Sequence, residues 1–204
     1  MATGLHGAVL GIDPGSRQMG WAVVIPNASG SLRRVDSGCI RLGARDPLPQ
    51  RLGVLFGELQ QLFDRHTCTA LAIESAFMHE NAHTALVLGQ ARGLPVALAA
   101  SRGLEVHEYA PALVKRRITG SGKAEKGQMR EMVRVILGLD SLPGEDEADA
   151  LAVAVAHLRA VEWAGRVPAV APAAAVLLAA SQAKEATSGA KAQWLALLAA
   201  RGRR

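Results

Sequence analysis

Aromatic side chains are scarce in this chain, at 3% of 204 residues, although half the residues are hydrophobic. Its core must therefore be built from Ala, Val, Leu and Ile. Cysteine is scarcer still. Cys39 and Cys68 form no C-x-x-C pair, and a disulfide framework is not expected in a chain this large. No apolar run reaches the ~20 residues needed to span a bilayer. Residues 1–5 carry neither a basic leader nor a signal-type core. These absences argue against a membrane protein and a disulfide scaffold, and lead to the expectation of a soluble, cytoplasmic protein.

Charge is present but unevenly placed. The net charge is +5, yet residues 1–165 hold 17 Lys/Arg and 17 Asp/Glu. The whole excess lies in residues 166–204, where Arg166, Lys184, Lys191, Arg201, Arg203 and Arg204 face only Glu185. The length suits one domain with an appendage. Residues 1–165 are expected to form it, and residues 166–204 an Ala/Pro-rich basic extension that is partly disordered. Within the neutral part, seven bases fall between Lys115 and Arg134 against two acids, Glu125 and Glu131. A basic stretch beside an acidic pocket suits a protein that grips phosphates and cuts between them.

The acids stand in special places. The apolar residues 7–12 read as a buried strand that delivers Asp13 into a reversal made by Pro14 and Gly15. Apolar residues resume from Trp21 to Ile25, which completes a hairpin, and residues 32–42 read as a third strand. Leu52, Leu55, Phe56, Leu59, Leu62 and Phe63 then form one helical stripe. The short run Ala70-Leu71-Ala72-Ile73 is a second buried strand, and it ends at Glu74. A crossover helix between two strands allows parallel neighbours, so Asp13 and Glu74 should share a sheet edge. Each acid has a plainer reading too, Asp13 as a turn residue and Glu74 as a helix cap.

Further along, residues 81–102 read as small-sided helix with a break or bend at Pro95, and residues 105–109 as a strand. Residues 118–122 read as a flexible glycine break, and residues 124–137 as an amphipathic helix. The bases Lys126, Arg130 and Arg134 on that helix, with Lys115, Arg116 and Lys123, bracket the break, and phosphate contact is expected. Asp146 and Asp149 are spaced i, i+3 at the start of another helix, where acids also serve as caps. Their neighbours Ala148 and Ala150 are small enough to let a bulky substrate approach. Unpaired, four converging carboxylates would repel and raise one another's pKa values. Hard divalent cations remove that problem, and two of them can drive phosphodiester hydrolysis.

His79-Glu80-Asn81-Ala82-His83 satisfies the H-E-x-x-H zinc-protease pattern, but only three residues are fixed. The chain is also just leaving a strand there, so a zinc protease is the remote alternative.

Several stretches together resemble the bacterial Holliday-junction resolvase family RuvC. They are Gly11-Ile12-Asp13-Pro14-Gly15-Ser16-Arg17 with Gly20, Ala72-Ile73-Glu74 followed by Phe77-Met78, Leu88-Gly89-Gln90-Ala91-Arg92-Gly93, Ala124-Glu125-Lys126, and Asp146-Glu147-Ala148-Asp149-Ala150-Leu151-Ala152. The resemblance covers residues 7–160. It implies a ribonuclease-H-like α/β fold, a mixed five-stranded sheet flanked by helices on both faces. It also implies a homodimer that makes paired nicks in four-way junction DNA during recombination and repair, with Mg²⁺ or Mn²⁺, two per active site. A branch-migration helicase complex is a further implied partner. Carried over by position, Asp13, Glu74, Asp146 and Asp149 match the metal-binding quartet, and Phe77 the aromatic that packs on junction bases. Lys115 and Lys126 match bases near the scissile phosphate; Arg17, Met78, Arg92, Arg116 and Lys123 are the other candidate DNA contacts. Glu80 stands where relatives often carry a base, and residues after about 165 match nothing. Other readings are a different ribonuclease-H-like nuclease, or a junction-binding protein that does not cut. The Gly-Ile-Asp-x-Gly start also resembles the phosphate loop of actin-like ATPases and sugar kinases, which need a second Asp-Gly-Gly loop and a longer chain.

Overall fold

The computed structural model describes residues 7–43, 45–75 and 81–166. Its first compact unit ends at Glu162, and the fold below is that of this unit. The strands are β1 (Val9–Asp13), β2 (Gln18–Pro26), β3 (Leu32–Arg41), β4 (Ala70–Glu74) and β5 (Glu105–Tyr109). They form one sheet in the order β3-β2-β1-β4-β5. The first three are antiparallel neighbours, while β4 runs parallel to β1 and β5 parallel to β4. The helices are α1 (Leu48–Arg65), α2 (Ala82–Ser101), α3 (Pro111–Thr119), α4 (Lys126–Leu137) and α5 (Glu145–Arg166). This is the mixed five-stranded architecture that the sequence resemblance implies.

Strand alternation divides the core into two layers. Leu10, Ile12, Met19, Val23, Leu71 and Ile73 face α1 and α2 and bury Leu55, Leu59, Leu62 and Leu98. Val9, Ala22, Val24, Ala70 and Ala72 face the other way, against Val114, Ile118, Met129, Val133, Leu151 and Val155 of α3, α4 and α5. Asn81 starts α2 by accepting the Thr84 N–H on its side chain. Gly120 and Gly138 close α3 and α4 in the left-handed region, which favours glycine.

Four expectations need correction. Phe56 is 40% exposed; at 100° per residue it falls at the margin of the stripe centred on Leu55, Leu59 and Leu62. Pro95 does not interrupt α2, which runs unbroken and turns that residue into its buried face. Proline removes one backbone donor and crowds the carbonyl four residues earlier, and burial of Pro95, Leu98 and Ala99 against the sheet offsets that cost. The glycine break begins only after Thr119, because α3 extends that far. Ala148 and Ala150 are 1% and 0% exposed, so their smallness serves packing and not substrate approach. Beneath them, a Cβ on Gly11 of β1 would overlap the Ala150 carbonyl and stand 2.8 Å from the Ala154 Cβ. Small residues on both sides let α5 lie directly on the central strand.

Among the described residues, no helix is long and apolar enough to cross a membrane.

Candidate active site

Parallel pairing of β1 and β4 puts Ile12 beside Ile73, so the next residues, Asp13 and Glu74, leave the sheet at one edge. Asp13 is further fixed by a tight turn. A Cβ on Gly15 would overlap the Gln18 carbonyl, and Arg51 of α1 donates from Nη1 to the Ser16 carbonyl at 2.7 Å. Helix α5 starts over the same edge and brings Asp149 to it. Asp13, Glu74 and Asp149 line one open cavity of about 320 Å³, together with Lys115 of α3 and Lys126 at the start of α4. Val114, Met129 and Ala152 supply its apolar wall.

The acids hold their protons unusually well. Burial pushes Asp13 up from an ordinary 3.8 to about 8, and Asp149, Glu74 and Asp146 add to the rise while Lys126 opposes it. Glu74 is pushed up to about 7 by burial and then by Asp149, with Lys115 and Lys126 opposing. Asp149 is raised as well, first by burial; Lys126 pulls against that, and Asp146 and Glu145 reinforce it. Two lysines therefore partly offset three crowded carboxyls.

The sign of the resulting pH effect is definite. Between pH 4 and 8 these two carboxyls bind more protons in the folded protein than in the unfolded chain, so their contribution to stability falls as pH rises across that window. In chelator, the melting temperature should therefore decline from pH 5 to pH 9, and Asp13→Asn should flatten the decline. A wild-type melting temperature that climbs over this range in chelator would show that the acids do not repel as described.

Asp146 belongs to the electrostatic cluster but does not line the cavity. It sits toward β2 and β3, with Oδ2 3.8 Å from the Cys39 sulfur. Among the described residues, no three His, Cys, Asp or Glu side chains already stand at metal-ligand spacing. A cation in the cavity therefore requires the acids to close on it. The donor set itself, carboxylate oxygens only, fits a hard divalent ion and not a soft one.

The candidate DNA contacts separate into groups. Lys115 and Lys126 reach the cavity, whereas Arg17, Arg116 and Lys123 are exposed on neighbouring segments. Arg92 is engaged internally: it pairs with Glu108 of β5 at 2.7 Å and donates from Nε to the Glu74 carbonyl at 3.4 Å. It braces the end of β4. Arg130 and Arg134 also have partners within the chain. Arg130 donates twice to the Pro143 carbonyl, and Arg134 forks onto Glu131. Phe77, Met78, His79 and Glu80 lie outside the described residues. His83 is exposed in the first turn of α2.

Sequence reasoning missed Arg51, the Arg92–Glu108 pair and Glu147. Glu147 alone left a trace, because it stands three residues after Gly144, the spacing at which an acid folds back onto a helix start.

The family model for crossover junction endodeoxyribonuclease RuvC matches residues 9–157. The protein of that name from Chromohalobacter salexigens is 49% identical over 149 residues, covering 73% of this chain and 79% of the relative. Its counterpart from Alkalilimnicola ehrlichii is 45% identical over 159 residues, covering 78% and 94%. Among solved structures, Thermus thermophilus RuvC in complex with Holliday junction substrate aligns with a TM-score of 0.72 at 31% identity, over 78% of this chain and 96% of that one. The yeast mitochondrial Holliday junction resolvase Ydc2, at 12% identity, a TM-score of 0.54 and coverage of 74% and 78%, shares the fold. The matched span contains both strand ends, both lysines and the start of α5. This chain belongs to the crossover junction endodeoxyribonuclease RuvC family, enzymes that act on DNA phosphodiester bonds.

Proposed function

We propose that this chain resolves four-way DNA junctions by metal-dependent hydrolysis at the Asp13–Glu74–Asp149 cavity. The observation that carries the reading is the convergence of three proton-retaining carboxyls from two strand ends and a helix start, with two lysines at their side. Asp13, Glu74, Asp149 and Asp146 would hold divalent cations, Mg²⁺ or Mn²⁺, two per site. Bound there, the ions would neutralise charge at the phosphate and activate a water as the nucleophile by lowering its pKa. Lys115 and Lys126 orient the scissile phosphate, and each opposes the rise in proton affinity that burial gives Glu74 and Asp149. The exposed Arg17, Arg116 and Lys123 grip the flanking backbone without reading sequence, and Phe77 stacks on junction bases.

A two-fold junction calls for a two-fold enzyme. We assign the dimer contact to α2, where Ala82, Gly89 and Leu86 are exposed, Leu86 at 68%. Ala91 on the same helix is buried in the chain's own core. Sedimentation that shows only monomer at high concentration, with or without junction, would remove this part.

The substrate assignment is tested by offering a mobile four-way junction, a linear duplex and an RNA–DNA hybrid in parallel. Paired nicks confined to the junction are expected. Equal cutting of the hybrid would favour a different ribonuclease-H-like nuclease, and binding without cutting a junction-binding protein.

The basic extension, residues 166–204, is proposed as an auxiliary phosphate contact working in the cytoplasm. Truncation after Gly165 should preserve nicking and flatten the salt dependence of junction binding, since each phosphate released lowers the log–log slope by about 0.9 on duplex DNA. An unchanged slope would mean that the extension does not touch DNA.

A further inference from the structure

The acid between the two helix-start aspartates is held on several sides. Glu147 Oε1 accepts the Ser37 hydroxyl at 2.5 Å and lies 3.4 Å from Arg34 Nη1. Its Oε2 accepts the Gly144 backbone N–H at 3.1 Å. One carboxylate thus ties the edge strand β3 to the loop that launches α5 and to α5 itself.

Strand register explains why β3 can reach. Ser37 pairs with Ala22, and Ala22 is buried in the layer that holds α5, so Ser37 shares that face. Two residues along, Cys39 pairs with Gly20 on the same face. A Cβ on Gly20 would overlap the Asp146 carbonyl. The first turn of α5 therefore sits in a seat made by Gly20, Ala22, Ser37 and Cys39. A seat of small residues fixes how close the helix comes, but not its rotation about its own axis. Packing of Leu151 and Val155 in the core restrains the rest of the helix, and the Ser37–Glu147 hydrogen bond adds a directional restraint on rotation at its first turn. With 3.6 residues per turn, Asp149 lies about 200° around the helix from Glu147. When Glu147 is held against β3, Asp149 is turned away from it, toward the cavity.

We propose that Ser37 and Glu147 form a clamp that restrains the rotation of α5 at its start, and so act as positioning residues for Asp149 and Asp146. The clamp rests on the reading of those aspartates as catalytic. If Glu147 served only as a helix cap, its bond to Gly144 would suffice and Ser37 would be dispensable.

The test uses the full chain with Ser37→Ala, Ser37→Thr, Glu147→Ala and the double variant. Each is measured for steady-state nicking of a four-way junction, for junction affinity in chelator, and for melting temperature. Misplaced catalytic groups cost rate more than binding, so Ser37→Ala should lower kcat about tenfold while KM and the chelated Kd stay within about twofold. Ser37→Thr, which keeps the hydroxyl, should recover most of the rate. The double variant should be no slower than Glu147→Ala alone, because one interaction cannot be lost twice. Wild-type kcat in Ser37→Ala would overturn the clamp, as would a loss that adds independently to that of Glu147→Ala. Asp149→Asn is run beside them. Its inactivity next to a fully active Ser37→Ala would remove the clamp alone, whereas nicking by Asp149→Asn would remove the catalytic assignment and the clamp with it.

Discussion

Asp13→Asn is expected to abolish nicking while leaving junction binding intact. Asp13 is the most strongly perturbed of the acids, and it feels Asp149, Glu74 and Asp146 together. It is therefore the group whose charge a bound cation most directly compensates. Replacing the carboxylate by an amide keeps size and shape, removes an anionic ligand and relieves repulsion among the others. The lost stabilisation of transition-state charge should slow nicking about a thousandfold, which corresponds to about 4 kcal/mol. Junction affinity in chelator should hold, because Asp13 without metal already keeps its proton up to about pH 8 and the exposed bases Arg17, Arg116 and Lys123 are untouched. Quantitative nicking assays with the variant, beside gel-shift affinities, give both numbers. A variant that cuts within about tenfold of wild type would take Asp13 out of the chemistry.

Gly11→Val should be the most damaging substitution away from the charged groups. A side chain at Gly11 would be driven into the Ala150 carbonyl and the Ala154 Cβ. Neither is the end of a flexible chain, so α5 itself must move. Overpacking of this kind costs about 3 kcal/mol, or about 10 °C in melting temperature for a domain of this size. Activity should fall further than stability requires, since α5 carries Asp146 and Asp149 near its start. Gly53→Ala in α1 is the matching control. It meets nothing within 4 Å, and removing glycine from an exposed helix position should raise stability by about 0.5–1 kcal/mol. Thermal melts of the two variants should therefore move in opposite directions. A Gly11→Val protein as stable as wild type would mean that α5 does not rest on β1 as described.

Much of the site can be read from sequence because its acids sit where local rules are strong. Asp13 and Glu74 each follow a short apolar run, and a buried strand must end where its apolar residues end. Asp146 and Asp149 precede a long Ala/Val/Leu run at the i, i+3 spacing that suits a helix start. The parallel pairing that unites the two strand ends follows from the helix α1 between them. What stayed hidden depends on partners far away in the chain. Arg34 and Ser37 meet Glu147 across 113 and 110 residues, and Arg92 meets Glu108 across a helix and a loop. Spacing from Gly144 marks Glu147 as a helix-start acid, but nothing local points to its hydrogen bond with Ser37 on β3. Periodicity also loses precision at the margins of a face. Phe56 and Leu59 both fit the α1 stripe, yet one is exposed and the other fully buried. The Pro143 carbonyl that accepts from Arg130 lies beyond α4 and can be assigned only once the chain after it is in place, whereas the Glu131–Arg134 pair is three residues apart on one helix and is open to sequence reading.

The central claim is that divalent cations act between Asp13, Glu74 and Asp149. The most direct measurement is anomalous diffraction at the manganese edge, from crystals of the protein grown with Mn²⁺ and a four-way junction bearing a non-cleavable linkage. Manganese bound by those three carboxylates, with the linkage phosphate beside it and Lys126 close by, is the result expected here. Manganese bound elsewhere while this cavity stays empty beneath a bound junction would contradict the claim.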